Sequence, residues 1–134
     1  MEPRDLLLGS FRAALTAADP LKVVPGHLPK PPKGRTLVVG AGKAAAAMAL
    51  SVEQNWPAKA PLDGLVVTRY QHGLLTNRIT VIEAAHPVPD ERGEKAAQEI
   101  LRRVKSLTPD DLLLVLVSGG GSALLSLPVE GIAM

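Results

Sequence analysis

Two glycine-rich turns are the most informative feature of this sequence. The turns, residues 40–44 (GAGKA) and 118–122 (SGGGS), each directly follow a short apolar run that is typical of a buried strand. Glycine lets the backbone adopt positive φ and come close to a ligand, and the first turn of a following helix offers unpaired N–H groups. Two such turns in 134 residues predict an α/β protein that binds a phosphorylated ligand.

The segments between the two turns favour the same fold class. Apolar and β-branched runs predict four strands, at 36–39, 64–68, 79–82 and 112–117, the last of which is typical of a strand covered on both faces by helices. Helical periodicity or propensity predicts helices at about 5–18, 43–52 and 91–105, and we expect the first of them to pack against the sheet. Four prolines between Val24 and Lys33 predict a surface loop. Residues 1–134 are therefore predicted to form one Rossmann-like, three-layer αβα domain with a largely parallel sheet.

Composition and charge exclude several functional classes. The 15 basic and 13 acidic residues give a net charge of only +2, and three aromatic residues offer few stacking platforms, so we expect no nucleic-acid partner. The absence of cysteine excludes disulfides, thiolate zinc sites and a cysteine nucleophile. Acidic residues near the N-terminus are unlike a secretory signal, and no apolar run is long enough to span a membrane. We expect a cytoplasmic protein without a membrane partner, and homo-oligomer formation stays open.

The first glycine turn allows three interpretations. Gly40, Gly42 and Ala45 fit the Gly-x-Gly-x-x-Ala pattern of a dinucleotide-binding turn, but the next strand ends at Arg69 rather than at the acid that would hold a ribose. Lys43 favours a negatively charged ligand of another kind. A plain strand-to-helix connection is the third alternative. A Walker-type loop is excluded, because alanine and not serine or threonine follows Lys43.

The second glycine turn is the stronger indication of a binding site. Three consecutive glycines are entropically costly, so we expect their backbone to wrap an anion, and a flexible turn is the alternative. The five candidate residues are Ser118, Gly119, Gly120, Gly121 and Ser122. A hydrolase nucleophile elbow is excluded by Leu124, which stands where its last glycine would be. His86 follows a predicted strand and is either an acid, base or phosphate contact or a simple loop residue. The three histidines are scattered, so no protein-held metal is expected.

Four motifs, taken together, resemble the N-terminal domain of the glycerate 2-kinases. They are residues 38–44 (VVGAGKA), 68–73 (TRYQHG), 86–90 (HPVPD) and 116–124 (LVSGGGSAL), and the resemblance covers nearly the whole chain. Gln71 and Ala85 stand where many members of that family have glycine. The resemblance implies ATP-dependent phosphoryl transfer to the 2-hydroxyl of D-glycerate, with Mg²⁺ bound to the nucleotide.

The same resemblance implies roles for individual residues. Lys43 would be the catalytic cation, the glycines of both turns and the two serines of the second would bind nucleotide phosphates, and Arg69 and His86 would contact the substrate. Two alternatives stay open: an NAD(P)H-dependent hydroxypyruvate reductase, and a non-catalytic phosphate- or nucleotide-binding module. Because members of the family are several-fold longer, we expect a chain that is incomplete at its C-terminus, lacks the second domain and has little activity alone.

Overall fold

A four-stranded parallel sheet forms the centre of the computed structural model, which describes residues 2–133. Each predicted strand is confirmed, and three of the four are two or three residues longer than predicted. In chain order the elements are α1 (Pro3–Ala17), α2 (Pro20–Val23), β1 (Thr36–Ala41), α3 (Ala45–Asn55), β2 (Leu62–Arg69), β3 (Ile79–Ala84), α4 (Glu91–Val104) and β4 (Leu112–Val117).

The strand order, β3-β2-β1-β4, places β1 inside the sheet. The chain first moves from β1 through β2 to β3, and α4 then carries it back to β4 on the other side of β1. Gly40 of β1 lies opposite Val66 of β2 and Leu116 of β4. The strand order therefore reverses between β1 and β4, and open α/β sheets bind ligands beyond the carboxyl ends of the strands at such a point.

Two apolar clusters lie on opposite faces of the sheet. On one face Leu37 and Leu65 pack with Ile100 of α4, and on the other Val38 and Val52 pack β1 against α3. β1 is buried along its whole length, which explains why its sequence is apolar without alternation. These layers confirm the three-layer α/β fold.

Helix α1 forms as predicted but does not pack against the sheet, so that part of the prediction is wrong. None of its residues is buried, and Leu7 and Phe11 are 70% and 61% exposed. The reason is that Val24 and Leu28 occupy the neighbouring sheet face, where they pack on the α3 cluster. Residues 24–27, predicted as a loop, form a 3-10 turn, which tolerates a proline in its first turn.

The prediction that helices cover both faces of β4 is also wrong. Among the described residues, 2–133, β4 pairs with β1 alone, and Val115 and Val117 are 54% and 69% exposed. A continuous apolar run predicts a strand correctly, yet it does not reveal which neighbours will cover it. No helix within residues 2–133 combines the length and the apolar character needed to cross a membrane.

Candidate phosphate-binding site

The two glycine turns lie side by side at the carboxyl edge of the sheet. They meet there because β1 and β4 are parallel neighbours. The Lys43 N–H donates to the Gly119 carbonyl oxygen at 3.4 Å, and the Ala44 N–H donates to Ser118 Oγ at 3.0 Å. The Ser118 N–H in turn donates to the Ala41 carbonyl oxygen at 3.2 Å. The two motifs therefore form one structural unit, although Ala44 and Ser118 are 74 positions apart in the sequence.

Gly40 and Gly42 allow β1 to lie against β4. A Cβ atom on Gly40 would overlap the Leu116 carbonyl oxygen, and one on Gly42 would overlap the Ser118 hydroxyl. Gly42 also has φ of +137°, which favours glycine. These contacts give both glycines a structural reason, and their role in nucleotide binding stays a prediction.

The backbone N–H groups of the first turn already have protein acceptors. The Gly42 N–H donates to the Val67 carbonyl oxygen at 3.1 Å, and Lys43 and Ala44 donate to the second turn. By contrast, the N–H groups of residues 119–123 have no acceptor within residues 2–133. The free donors that could hold an anion therefore lie in the second turn.

Lys43 and His86 converge on this row of free donors. A Cβ atom built on Gly120 would lie 2.9 Å from His86 Nε2 and 3.5 Å from Lys43 Nζ. Lys43 is exposed and His86 is half-buried. The site therefore combines one cation, one imidazole and several backbone amides within a few ångströms, at the point where the strand order reverses.

Arg69 lies at the edge of this site, and its contact with the substrate stays a prediction. It ends β2 at the same edge of the sheet, but its side chain makes no hydrogen bond or ion pair with any residue from 2 to 133. Ser122 is exposed at the end of the second turn. His27 and His72 are exposed, and Trp56 is buried in the α3 cluster, so none of the three belongs to the site.

Sequence reasoning missed two side chains that shape the site. Thr68 is fully buried at the end of β2, and its hydroxyl donates to the Lys43 carbonyl oxygen at 3.4 Å. The Tyr70 hydroxyl donates to Asp90 Oδ2 at 2.7 Å, which joins the end of β2 to the start of α4. Both residues belong to the motif 68–73 (TRYQHG). The signal in the sequence that could have found them is a hydroxyl group at or just after the end of a predicted strand.

The Tyr70–Asp90 contact changes the titration of both groups. Partial burial raises the pKa of Asp90, but the hydrogen bonds from the Tyr70 hydroxyl and the Gly93 N–H outweigh it, so the pKa lies below its ordinary value. The hydrogen bond to Asp90 raises the pKa of Tyr70. At neutral pH the pair is therefore a neutral phenol that donates to an ionised carboxylate.

Residues 6–134 match the family model described as "Domain of unknown function (DUF4147)". The chain belongs to this family. It is 52% identical over 125 residues to a protein of Agrobacterium vitis named "Putative hydroxypyruvate reductase". That alignment covers 93% of this chain and 28% of the relative. It is 36% identical over 146 residues to a "Glycerate 2-kinase" of Pyrococcus horikoshii, in an alignment that covers 100% of this chain and 32% of the relative.

Two solved structures share the fold. The PH0495 protein of Pyrococcus horikoshii matches with a TM-score of 0.83 and 36% identity, over 99% of this chain and 33% of that one. The glycerate kinase of Thermotoga maritima matches with a TM-score of 0.78 and 32% identity, over 96% of this chain and 31% of that one. These matches confirm the resemblance to the glycerate 2-kinases. The DUF4147 chain spans about a third of the length of these relatives.

Proposed function

We propose that this DUF4147 chain carries the phosphate-binding part of an ATP-dependent glycerate 2-kinase. The reaction would transfer the terminal phosphoryl group of ATP to D-glycerate and release 2-phosphoglycerate and ADP. The observation that carries the proposal is the row of free N–H groups at residues 119–123, with Lys43 and His86 at its side.

The arrangement suits phosphoryl transfer because that reaction needs positioning and charge neutralisation more than covalent chemistry. Backbone N–H groups of residues 119–121 would bind phosphate oxygens, as amides do in other anion-binding turns. The Lys43 ammonium would bind the transferred group, whose negative charge is spread over three oxygens in the transition state. Gly40 and Gly42 would contribute by placing Lys43 rather than by donating hydrogen bonds.

The donor set fits a magnesium ion bound through the nucleotide. Within residues 2–133, no group of three or more His, Cys, Asp or Glu side chains could hold a metal ion. Mg²⁺ keeps several waters and is often bound through substrate phosphates, and it would neutralise their charge here. The hydroxyl oxygens of Ser118 and Ser122, on the second turn, are possible ligands of this Mg²⁺ ion.

Arg69 and His86 are proposed to contact D-glycerate. The substrate carries a carboxylate, and a guanidinium matches that group with two parallel hydrogen bonds. His86 lies close enough to the anion site for its imidazole to donate to the substrate or to a phosphate oxygen.

A hydroxypyruvate reductase is the second candidate, because the relative at 52% identity has that name. Such an enzyme would use the amides of the first turn for the pyrophosphate of its dinucleotide. Those of Gly42, Lys43 and Ala44 already donate within the protein, and β2 ends in Arg69 instead of an acid. Both observations favour the kinase over the reductase.

The extent of the match bears on activity. Since the chain spans about a third of its relatives, we propose that full turnover needs the part of the family's length that it does not span. A non-catalytic phosphate-binding module is the corresponding alternative. The cytoplasmic location and a homo-oligomeric state stay predictions from the sequence.

Three assays on the purified protein test the proposal. They measure binding of magnesium ATP by calorimetry, ADP formation with D-glycerate, and NADH oxidation with hydroxypyruvate. We expect the kinase signal and a loss of about a hundredfold in Lys43→Ala, the size found when one transition-state donor is removed. Lys59→Ala, an exposed lysine on the connection that leads into β2, is the control.

Each outcome selects one function. NADH oxidation without ADP formation would establish the reductase. Nucleotide binding without turnover, both in this chain and in a protein extended to the length of its relatives, would establish the binding module. A Lys43→Ala protein that keeps normal ADP formation would refute the role given to Lys43.

A further inference from the structure

Tyr70 bridges both ends of the short segment that carries His86. Its backbone N–H donates to the Ala84 carbonyl oxygen at 3.2 Å, just before the segment, and its hydroxyl donates to Asp90 Oδ2 at 2.7 Å, just after it. Residues 85–89 therefore lie between two hydrogen bonds from one residue. The segment itself has little packing, since its residues 87–89 are exposed.

The far end of the segment is fixed to the rest of the fold. Asp90 Oδ1 accepts the Gly93 N–H at 3.0 Å and so caps α4. A Cβ atom on Gly93 would lie only 3.1 Å from the Leu124 carbonyl oxygen, so the first turn of α4 lies close against the backbone that follows the second glycine turn. The Arg92 guanidinium lies 5.7 Å from the centre of the Tyr70 ring, on the outer side of the same contact.

We propose that Tyr70 is a positioning residue, which holds the imidazole of His86 beside Gly120 where it can donate to a bound anion. The inference rests on the proposed phosphate site but goes beyond it, because no hydrogen bond within residues 2–133 joins Tyr70 to Lys43, His86 or the second turn. Without the tyrosine hydroxyl, residues 85–89 lose one of the hydrogen bonds that close them, while the bond from the Ala85 N–H to the Asp90 carboxylate remains. We expect His86 Nε2 then to lie beside the second turn for a smaller fraction of the time.

Tyr70 acts here through geometry rather than through the stability of the core. Its ring is 40% exposed, and none of the buried apolar clusters includes it. Removal of the hydroxyl in Tyr70→Phe keeps the ring beside Arg92 and leaves Asp90 as the cap of α4. The variant should therefore fold, and its thermal unfolding provides the check.

The test uses tripolyphosphate as the anion and the protein as it exists. Binding is measured by calorimetry and by the NMR signal of the His86 imidazole, which is assigned from its loss in His86→Asn. We expect Tyr70→Phe to bind about threefold to tenfold more weakly and to show a smaller shift of the His86 signal. Thr76→Val is the matched control, since it also removes a hydroxyl hydrogen bond, to the Ile79 carbonyl oxygen, from the loop between β2 and β3.

The double variant separates positioning from a general structural effect. If Tyr70 acts through His86, the change Tyr70→Phe costs no further affinity once His86 is asparagine. An equal loss in that background, or normal binding by Tyr70→Phe alone, would overturn the inference while the phosphate site stands. A wild-type protein that binds no tripolyphosphate would overturn the proposed site and this inference together.

Discussion

Replacement of Gly120 by alanine should weaken anion binding about tenfold and lower the free energy of unfolding by about 1 kcal/mol. Gly120 has φ of +75°, in the left-handed region that favours glycine, and it faces the two side chains of the site. The new Cβ atom would lie 2.9 Å from His86 Nε2 and 3.2 Å from Lys43 Cε. Both neighbours are near the ends of side chains, so they would move aside while the backbone stays in place.

Two opposing effects on the backbone set the expected change in stability, and the displacement of two side chains sets the expected change in affinity. A left-handed alanine costs about 1–2 kcal/mol, and the reduced freedom of the unfolded chain returns about 0.4–1 kcal/mol. The free energy of unfolding should therefore fall by about 1 kcal/mol. Displacement of the ammonium and the imidazole should cost about tenfold in affinity for tripolyphosphate, which corresponds to about 1.4 kcal/mol.

Gly119→Ala is the comparison that isolates the displacement. A Cβ atom on Gly119 meets no atom within 4 Å, and the residue lies outside the left-handed region. Its affinity should stay within about twofold of the wild type, because a small exposed change away from a special backbone conformation costs little. Calorimetry gives the affinities, and the fluorescence of the single tryptophan, Trp56, follows unfolding in urea. Equal affinities for the two alanine variants would refute the convergence of Lys43 and His86 on Gly120.

Two further predictions concern stability. Partial burial raises the pKa of Glu53, but hydrogen bonds from the backbone N–H groups of residues 77–79 outweigh it and hold the pKa below 4.5. Glu53→Gln should therefore lower the free energy of unfolding by about 1–2 kcal/mol at pH 7. This deficit should shrink as the pH falls through the lowered pKa of Glu53. A deficit that does not change with pH in urea titrations would contradict this. Gln71 has φ of +65°, in the left-handed region that favours glycine. Gln71→Gly should therefore stabilise the fold by about 0.5 kcal/mol, whereas Gln71→Ala, which keeps the Cβ atom, should not. Thermal unfolding of the two variants tests this prediction.

The sequence predicted well what depends on local pattern. The apolar run 112–117 matches β4 residue for residue. The predicted helix at 91–105 matches α4, whose N-terminus Asp90 caps through the Gly93 N–H. Four strands in alternation with helices were enough to predict a parallel α/β sheet. These features follow from the preferences of neighbouring residues, which a single sequence contains.

What depends on strand order could not be predicted. The pairing of Ala44 with Ser118 and the approach of His86 to Gly120 require β4 to lie beside β1, and no local preference specifies that neighbour. The same limit explains the errors at α1 and at β4. Their apolar residues predict burial on average, but the neighbours that bury a face are set by the tertiary arrangement.

The structure separates two uses of glycine that look alike in the sequence. In the first turn, Gly40 and Gly42 leave room for the backbone of β4 and for Ser118, and the amides there donate within the protein. In the second turn, a Cβ atom on Gly119 would meet nothing, and the amides of residues 119–123 have no acceptor within residues 2–133. The first turn thus acts as the support that aims Lys43, and the second presents the donors. A Gly-x-Gly-x-x-Ala pattern therefore does not by itself indicate a dinucleotide, because the pattern is equally satisfied when the glycines make room for another strand.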